Sequence, residues 1–392
     1  MPPARTRLLL VGAGHAHLEI LRRLALEPTP ALEATVVSLE ERHFYSGMTP
    51  GYLAGQYSAA DITSDVPAIA RRAGAQCVIG CAAHLDPANR QVALQDGRTL
   101  PYDLVSFNIG SLLAGSDGPA AAHAERIKPL HRVARLKERL DALAGGARTR
   151  PARVVVIGAG AGGVEVAFAA AATLDRSGRA RDITIVDRGQ RILNGYGEPF
   201  QRLAERALWA LRIDLRLGAG VTAVEADQVV LAGDDALPSD LTVWLTGPQG
   251  ASLFGASGLP TEPRGFLWIE DTLRSVADPR VFAVGDCGTF TQFPGIAKSG
   301  VYAVREAPVL WHNLLAAARS QPLIHYRPQR SFLSILNTAD GRALLSYKGL
   351  RSWSRWAWRL KDRIDRGFMR KYQRLATGAA ASSGASSGAS SP

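Results

Sequence analysis

The sequence has little cysteine, with three residues among 392. Three thiols cannot build a disulfide framework or, by themselves, a four-ligand zinc site, and low cysteine content suits a reducing compartment. No charge-free apolar run reaches about 18 residues, so we expect no transmembrane helix. The first residues pass from a basic cluster directly into an apolar strand, which is not the pattern of a signal peptide. We therefore predict a cytosolic protein without a metal site.

The composition excludes disorder as the dominant state. Hydrophobic residues make up 46% of the chain and charged residues 21%, as in ordinary folded proteins. A chain of this length is expected to form two or three domains with a sizeable core. Only residues 376–392, which contain nothing but Ala, Thr, Gly, Ser and Pro, predict a disordered tail.

Two stretches of the chain share one order of apolar strand, glycine turn, helix and second apolar strand. The first begins at Arg7 and the second at Arg153. This order starts a doubly wound α/β domain, in which the turn holds a dinucleotide pyrophosphate at the helix N-terminus. We predict an α/β fold with two doubly wound, Rossmann-like dinucleotide-binding domains and a small carboxy-terminal region.

The second turn is a complete GxGxxG motif formed by Gly158, Gly160 and Gly163. Asp187 ends the following strand, where an acid accepts hydrogen bonds from the ribose 2′-OH and repels a 2′-phosphate. Arg188 directly follows and would favour a 2′-phosphate. We therefore predict that NADH binds here, with NADPH possible.

The first turn reads GxGxxH, with His17 where the third glycine usually stands after Gly12 and Gly14. The second strand ends at Ser38 instead of the usual ribose-binding acid, and we expect Glu40 to take that role. Two dinucleotide sites on one chain predict a flavin in the first domain, a nicotinamide in the second, and hydride transfer between them.

Further segments resemble the two-dinucleotide-binding-domain flavoproteins, the pyridine nucleotide-disulfide oxidoreductase superfamily. Gly285 and Asp286 end an apolar strand, and the resemblance implies that Asp286 bonds the ribityl chain of FAD. Gly110 lies in a segment, 101–111, similar to the one that returns to the FAD. Gly247 ends the matching segment beside the nicotinamide. The resemblance implies FAD and NAD(P)H as cofactors.

Residues 43–55 (HFYSGMTPGYLAG) resemble the flavoprotein domain fused to some selenide, water dikinases, which is related to type II NADH:quinone oxidoreductases. Glu165 matches a glutamate that type II NADH dehydrogenases carry on the helix facing the nicotinamide. Lys298 lies in a segment similar to their flavin-contacting helix. The resemblance implies a lysine near the flavin N1/C2 edge, and a solvated surface lysine is the alternative.

These motifs predict a division of the chain into parts. They are a discontinuous FAD-binding domain (1–112 and 271–320), a linker (142–150), an NAD(P)H-binding domain (150–270), a carboxy-terminal region with a basic amphipathic helix (321–375) and the tail (376–392).

The positions of the cysteines argue against disulfide chemistry. Disulfide reductases of the superfamily carry a C-x4-C pair on the helix after the first acid, and here no cysteine precedes Cys77. Cys77 and Cys81 fall in an apparent strand, where four residues span about 13 Å, beyond the ~7 Å between bridged Cα atoms. We expect these two and Cys287 to be packed thiols, so that electrons leave the flavin without a redox-active cysteine pair.

Residues 351–375 contain seven Arg, two Lys and two Asp. A helical wheel places one set of residues on an apolar face: Trp353, Trp356, Ala357, Leu360, Ile364, Phe368 and Leu375. This pattern predicts an interfacial helix whose arginines reach anionic lipids, as the resemblance to type II dehydrogenases also implies. The alternative is packing on the same chain or on a second copy in a homodimer. Nucleic acid is not an expected partner, because no recognition module is present.

We therefore predict an FAD-dependent NAD(P)H oxidoreductase. NADH reduces the flavin, and the flavin reduces a second acceptor, with a quinone expected at the inner face of the cytoplasmic membrane. A soluble reductase in selenium or sulfur metabolism is one alternative. A flavin- or nucleotide-sensing protein without turnover is another, favoured by Ser38 and His17.

Overall fold

The computed structural model describes residues 5–27, 29–146, 149–233, 235–329 and 331–378. The strands are β1 (Thr6–Val11), β2 (Leu32–Ser38), β3 (Arg42–Phe44), β4 (Thr63–Asp65), β5 (Gln76–Ile79), β6 (Ala82–Asp86), β7 (Gln91–Leu94), β8 (Thr99–Pro101), β9 (Leu104–Phe107), β10 (Leu112–Leu113), β11 (Glu125–Arg126), β12 (Ala152–Ile157), β13 (Arg181–Asp187), β14 (Ile213–Leu217), β15 (Val221–Val224), β16 (Gln228–Leu231), β17 (Ala236–Pro238), β18 (Leu241–Trp244), β19 (Pro248–Gln249), β20 (Leu267–Ile269), β21 (Val281–Ala283), β22 (Gly288–Phe290), β23 (Ser334–Asn337), β24 (Ala343–Tyr347) and β25 (Leu350–Ser354). The α-helices are α1 (His15–Leu26), α2 (Thr49–Leu53), α3 (Ala59–Ile62), α4 (Val66–Arg72), α5 (Val133–Gly145), α6 (Ala161–Arg176), α7 (Glu198–Ala210), α8 (Leu253–Ala256), α9 (Gly300–Ala318) and α10 (Arg355–Thr377).

The first large sheet has the order β21-β9-β1-β2-β5, and its strands are all parallel. Residues 8–11 of its central strand, β1, are an unbroken apolar run and are almost fully buried. Such runs are typical of parallel strands covered on both faces. Helices α1 and α9 pack on each other beside this sheet, and the glycine turn after β1 lies at its carboxyl edge.

The second large sheet repeats this design with the order β11-β18-β12-β13-β14, again all parallel. Helix α6 packs on β12 and β13, and α5 and α2 pack on α6. The two strands β10 and β19 pair antiparallel and join the first unit to the second. The α/β fold with two doubly wound sheets is therefore confirmed.

The carboxy-terminal region forms an antiparallel sheet, β23-β24-β25, followed by α10. Helix α10 packs against β24 and against α4 and β4 of the first unit. In the described ranges, no helix is both long and apolar enough to span a membrane.

Several boundaries differ from the sequence predictions. Helix α5 continues to Gly145, so the first residues of the predicted linker are helical. Helix α10 continues to Thr377 and is capped by Gly378, so the predicted tail begins as helix, and residues 379–392 lie outside the described residues. Trp353 belongs to β25, where it pairs with β24, rather than to the helix.

Candidate functional site

A cavity of about 560 Å³ lies at the carboxyl edge of the first sheet. Its walls are the glycine turn after β1, the end of β2, the start of α9, and five segments, 42–46, 80–83, 108–112, 128–131 and 251–253, with Gln95. This volume and position match those of dinucleotide sites in doubly wound sheets.

The first glycine turn is built closely around Asn108. A Cβ on Gly12, which has φ +90°, would lie 2.5 Å from the Asn108 backbone oxygen, and one on Gly14 would lie 2.3 Å from Asn108 Oδ1. Asn108 Oδ1 also accepts a bond from the Ala16 backbone N–H at 3.0 Å. Its amide donates to the Val284 carbonyl at 3.0 Å. Only glycine fits at either position. Because neither residue has a side chain, a pyrophosphate can approach the backbone N–H groups of the turn.

His17 stabilises the turn from inside the fold and is not among the residues that line the cavity. Its Nδ1 lies 2.6 Å from the Gly12 carbonyl and its Nε2 lies 2.9 Å from Ser106 Oγ. Burial lowers the pKa of His17 to about 4. The expectation that His17 contacts the flavin is therefore corrected, because both ring nitrogens are bonded inside the fold.

Asp286 follows β21 and stands between two polar side chains of the cavity wall. Ser111 Oγ donates to its Oδ2 at 3.0 Å, and Lys128 Nζ lies 3.5 Å from the same atom. Lys128 Nζ also donates to Ser111 Oγ at 2.6 Å. Sequence reasoning missed Lys128, because no motif marks the segment after β11 that carries it.

Two glycines and a buried acid shape the backbone around Asp286. Gly110 has φ +72° and Gly285 has φ +68°, conformations that favour glycine. The Gly285 N–H donates to Glu306 Oε2 at 2.5 Å. Burial raises the pKa of Glu306 to about 7. Glu306 thereby fixes the turn that presents Asp286.

Glu40 lines the opposite end of the cavity, just beyond β2. Its carbonyl accepts a bond from Ser38 Oγ at 2.6 Å, and its carboxylate lies 3.9 Å from His131 Nδ1. The segment 128–131 therefore extends along the cavity from Asp286 to Glu40. This placement suits the predicted ribose contact, which stays a prediction.

Lys298 lies in a smaller adjoining cavity rather than in the large one. Its Nζ donates to the Gly288 carbonyl and to Thr289 Oγ1, the latter at 2.9 Å. The ammonium also lies 4.2 Å from the Phe266 ring centroid. Burial lowers the pKa of Lys298. The solvated-lysine alternative is therefore wrong, and contact with the flavin stays a prediction.

The second glycine turn shows the close packing that its motif requires. A Cβ on Gly163 would lie 1.8 Å from the Gly158 carbonyl, and one on Gly158, at φ +117°, would lie 2.2 Å from the Leu245 carbonyl. Apart from its chain neighbours, no heavy atom of the described residues lies within 4 Å of a Cβ on Gly160. Asp187 accepts bonds from the backbone N–H groups of Ala159 and Gly189 at 2.7 and 2.6 Å. The acid is thus held at the turn.

Gly247 lies at the connection between the two units. The Ala114 N–H donates to its carbonyl at 2.9 Å, and Thr246 Oγ1 donates to the Ala114 carbonyl at 2.6 Å. The segment expected beside the nicotinamide is therefore pinned to the first unit next to β10.

Glu165 lies on α6 under the carboxy-terminal sheet. Its Oε1 accepts the Asn337 N–H at 2.7 Å, and it is not among the residues lining the large cavity. Burial raises the pKa of Glu165 to about 7, and the charge of Lys361 partly opposes this. Proximity to the nicotinamide stays a prediction.

The inward side of α10 carries a buried ion pair. Lys361 Nζ donates to Asp365 Oδ2 at 2.9 Å and to the Gly47 carbonyl at 2.8 Å. Tyr45 donates to Asp365 Oδ1 at 3.0 Å. The predicted single apolar face is therefore wrong. Phe368 packs inward against Tyr45, whereas the exposed fractions of Trp356 and Ile364 are 47% and 45%.

All three cysteines are free. Cys77 ends up half-buried in β5, and Cys81 lies beyond the end of that strand, so the two do not share a strand as predicted. Cys287 is buried, and burial raises the pKa of its thiol to about 11. Burial also raises the pKa of the other two thiols. Such thiols are protonated at neutral pH and are poor nucleophiles.

Both turns fit a dinucleotide. Each has glycines whose Cβ would strike backbone or Asn108, at the N-terminus of a long helix. The large cavity is also lined by His15 and His43, whose enclosed Nε2 atoms have no hydrogen-bond partner among the described residues. In the part of the chain that the structure describes, no His, Cys, Asp and Glu cluster could hold a metal ion.

Comparison with known proteins gives consistent matches. A family model for pyridine nucleotide-disulphide oxidoreductases matches residues 6–316. An NADH dehydrogenase-like protein of Mycobacterium tuberculosis is 26% identical over 292 residues, 72% of each chain. The type II NADH:quinone oxidoreductase NdhA of that organism is 24% identical over 390 residues, covering 90% of this chain and 82% of the relative. The sulfide:quinone oxidoreductase of Aquifex aeolicus has a TM-score of 0.80 at 18% identity, covering 94% and 92% of the chains.

Proposed function

Because the chain belongs to the pyridine nucleotide-disulphide oxidoreductase family, it is an oxidoreductase with FAD and NAD(P)H as cofactors, and we propose that it transfers hydride from NADH to FAD and then reduces a quinone. The observation that carries the proposal is the pair of glycine cradles on two parallel sheets joined through β10 and β19. The names of relatives such as the type II NADH:quinone oxidoreductase support the acceptor.

FAD is assigned to the large cavity. We propose that Gly12 and Gly14 expose the backbone to its pyrophosphate, that Glu40 binds the adenosine ribose, and that Asp286 binds the ribityl chain. Lys128 places a positive charge beside Asp286 and limits its repulsion of the phosphates. The domain boundaries 1–112 with 271–320 and 150–270 are retained as part of this proposal.

NADH is assigned to the second turn. Gly158, Gly160 and Gly163 receive its pyrophosphate, and Asp187 accepts hydrogen bonds from its ribose. Gly247 and Glu165 are proposed to lie beside the nicotinamide. When bound, FAD supplies a two-electron carrier between NADH and the second acceptor, and the protein orients the reactants. No thiol takes part, because all three are protonated.

One anaerobic experiment tests the proposal. The spectrum of the purified yellow protein is recorded, NADH is added, and then a quinone or an oxidised selenium or sulfur compound is added. Bleaching by NADH followed by recovery with quinone is the expected result. Recovery only with a selenium or sulfur compound would make it the alternative reductase. Absence of bleaching by NADH and NADPH would mean a binding protein without turnover.

We also propose that the outward face of α10 holds the protein at the inner face of the cytoplasmic membrane. Trp356 and Ile364 are exposed there among exposed arginines, including Arg355, Arg359 and Arg363. Aromatic and aliphatic side chains enter the headgroup region, and each basic residue near an anionic surface adds about 1 kcal/mol.

Vesicle binding tests this surface without disturbing the packed side. Trp356→Ser with Ile364→Ser should release the protein from anionic vesicles and lower quinone reduction, while reduction of a soluble dye by NADH stays intact. The matched control is Val276→Ser, at a position 43% exposed in the first unit. Equal binding of the double variant and the control would contradict the membrane surface.

A further inference from the structure

The imidazole rings of two histidines at one end of the large cavity make no hydrogen bond within the described part of the protein. His15 begins α1, His43 lies in β3, and both line the cavity. The Nε2 atom of each ring is enclosed and has no partner. Buried polar side chains nearly always find a partner, so an exception asks for an explanation. Because each enclosed Nε2 has no acceptor beside it among the described residues, the single N–H of a neutral ring is better placed on Nδ1, and this nitrogen is left to donate to a ligand in the cavity.

The two rings belong to one aromatic cluster. Their centroids are 5.7 Å apart at an interplanar angle of 86°. Tyr45 lies edge-on to His15 at 5.4 Å, and Phe368 of α10 lies at 5.4 Å and stacks on Tyr45 at 4.7 Å. Such a cluster holds the imidazoles in place and resembles the lining of a site for a flat ring.

The open edge of the rings is the Nδ1 edge, because Nε2 is enclosed. A Cβ on Gly300 would lie 3.6 Å from His15 Nδ1 and 3.3 Å from its Cε1. Gly300 begins α9 and lines the cavity with Ser46. The absence of a side chain at Gly300 leaves the edge of His15 accessible from this end of the cavity.

The position of the pair selects the part of the ligand it meets. This step rests on the proposed function, in which FAD occupies the cavity. The glycine turn takes the pyrophosphate, Asp286 the ribityl chain and Glu40 the adenosine ribose. Residues 80–83 continue the wall on the Glu40 side, because β5 pairs with β2, and take the adenine. The end formed by 42–46 and the start of α9 then takes the redox-active ring.

The imidazoles are uncharged at neutral pH. Burial lowers the pKa of His15 to about 4, partly opposed by the charge of Asp286. Burial, with a smaller contribution from His15, lowers the pKa of His43 to about 3. A neutral imidazole has one N–H to donate. It therefore suits a neutral ring oxygen better than a phosphate.

We propose that His15 and His43 are hydrogen-bond partners for the carbonyl oxygens of the redox-active ring at this end of the cavity. The ring is the flavin's own or that of an acceptor stacked on it, and both present conjugated carbonyls. Reduction adds electron density to those oxygens, so fixed donors stabilise the reduced ring more than the oxidised ring.

Substitutions that keep different ring atoms test the assignment. At each histidine, Phe keeps the flat ring without nitrogen, Asn keeps a polar atom near Nδ1, and Gln keeps one near Nε2. The proposal expects His43→Asn to keep the flavin reduction equilibrium and the quinone kinetics of the unmodified protein. It expects His43→Phe and His43→Gln to change one of these two properties, with the same order at His15. His312→Phe, at an exposed position of α9, is the matched control.

Two measurements separate the two rings. The flavin is equilibrated with redox dyes, and acceptor kinetics are measured with NADH in excess. If the histidines bind the flavin ring, the equilibrium constant for flavin reduction falls about tenfold in the Phe and Gln variants. This corresponds to a midpoint potential about 30 mV lower for a two-electron couple. If the acceptor ring is bound, kcat/KM for quinone falls about tenfold while dye reduction is unchanged.

The proposal would be overturned if the Phe, Gln and Asn variants gave equal values of the flavin reduction equilibrium and of kcat/KM for quinone. This holds whether these values match those of the unmodified protein or are all lower. Where a Phe variant does not fold, as judged by circular dichroism, the Asn and Gln pair carries the comparison. The dye equilibrium uses neither NADH nor quinone. It therefore reports on the histidines even if the acceptor turns out not to be a quinone.

Discussion

Replacement of Lys128 by Met should weaken FAD binding without unfolding the protein. Lys128 is one wall of the large cavity, and its ammonium bonds Ser111 while facing Asp286. Methionine keeps most of the length and apolar character of the side chain but removes the charge. The carboxylate of Asp286 would then stand near the dinucleotide phosphates without a balancing cation.

The size of the effect follows from the distance and exposure of the pair. At 3.5 Å between Lys128 Nζ and Asp286 Oδ2, an effective dielectric constant of about 20 gives an attraction of roughly 5 kcal/mol. The side chains are 26% and 18% exposed, so solvent screening reduces this value. A loss of about 1–3 kcal/mol, as for a hydrogen bond to a charged group, corresponds to a roughly 10- to 100-fold higher Kd for FAD.

Titration of the apoprotein with FAD, followed by absorbance or calorimetry, measures this Kd. The matched control is Lys137→Met, because Lys137 forms an ion pair with Asp141 on α5 outside the cavity. Raising the salt concentration should bring the Kd values of Lys128→Met and the unmodified protein closer together, because salt screens the electrostatic contribution of the Lys128 ammonium to FAD binding. If Lys128→Met binds FAD as tightly as the control, the charge-balancing role of Lys128 is wrong.

Other predictions follow from the same contacts. Asp286→Ala should give a colourless, less stable protein, and full yellow occupancy would remove its assignment to FAD. Asp187→Ala should raise the KM for NADH about tenfold or more through lost ribose bonds, and a better kcat/KM with NADPH in the unmodified protein would refute the NADH preference. Joint replacement of the three cysteines by Ser or Ala should leave flavin reduction and reoxidation within about tenfold, and a collapse of turnover with reducible FAD would restore a thiol mechanism. Because burial raises the pKa of Glu306 to about 7, the folded protein holds a proton that the unfolded chain releases near pH 4.5. The free energy of unfolding should then fall as pH rises from about 5 to 7, and Glu306→Gln should remove that component.

The glycine turns and parallel strands could be predicted because they depend on local chemistry. The apolar run before Gly12 and the one before Gly158 allow few structures other than a buried parallel strand entering a tight turn. Asp187 at its strand end follows from spacing alone. The α/β fold was therefore accessible from the sequence.

The contacts of Lys128, Lys298 and His17 could not be predicted, because each depends on residues distant in the chain. Lys128 meets Ser111 and Asp286, which is 158 positions away. Lys298 finds its acceptors on β22 rather than in the large cavity. A motif can place such a residue near a site. Whether its side chain faces the ligand depends on the hydrogen-bond partners that hold that side chain, and these partners are distant in the chain.

The carboxy-terminal helix shows the same difficulty in another form. A helical wheel assigns charged residues to solvent, yet Lys361 and Asp365 lie inward because Gly47 and Tyr45 supply the partners that make a buried ion pair tolerable. Lys361 thereby ties α10 to a residue next to Ser46, which lines the large cavity. If the outward face of α10 rests on a membrane as proposed, the inward side of the same helix contacts the segment that leads into the ring end of the cavity. Lys361, which a wheel would place in water, is then the residue that joins this helix to the wall of the large cavity.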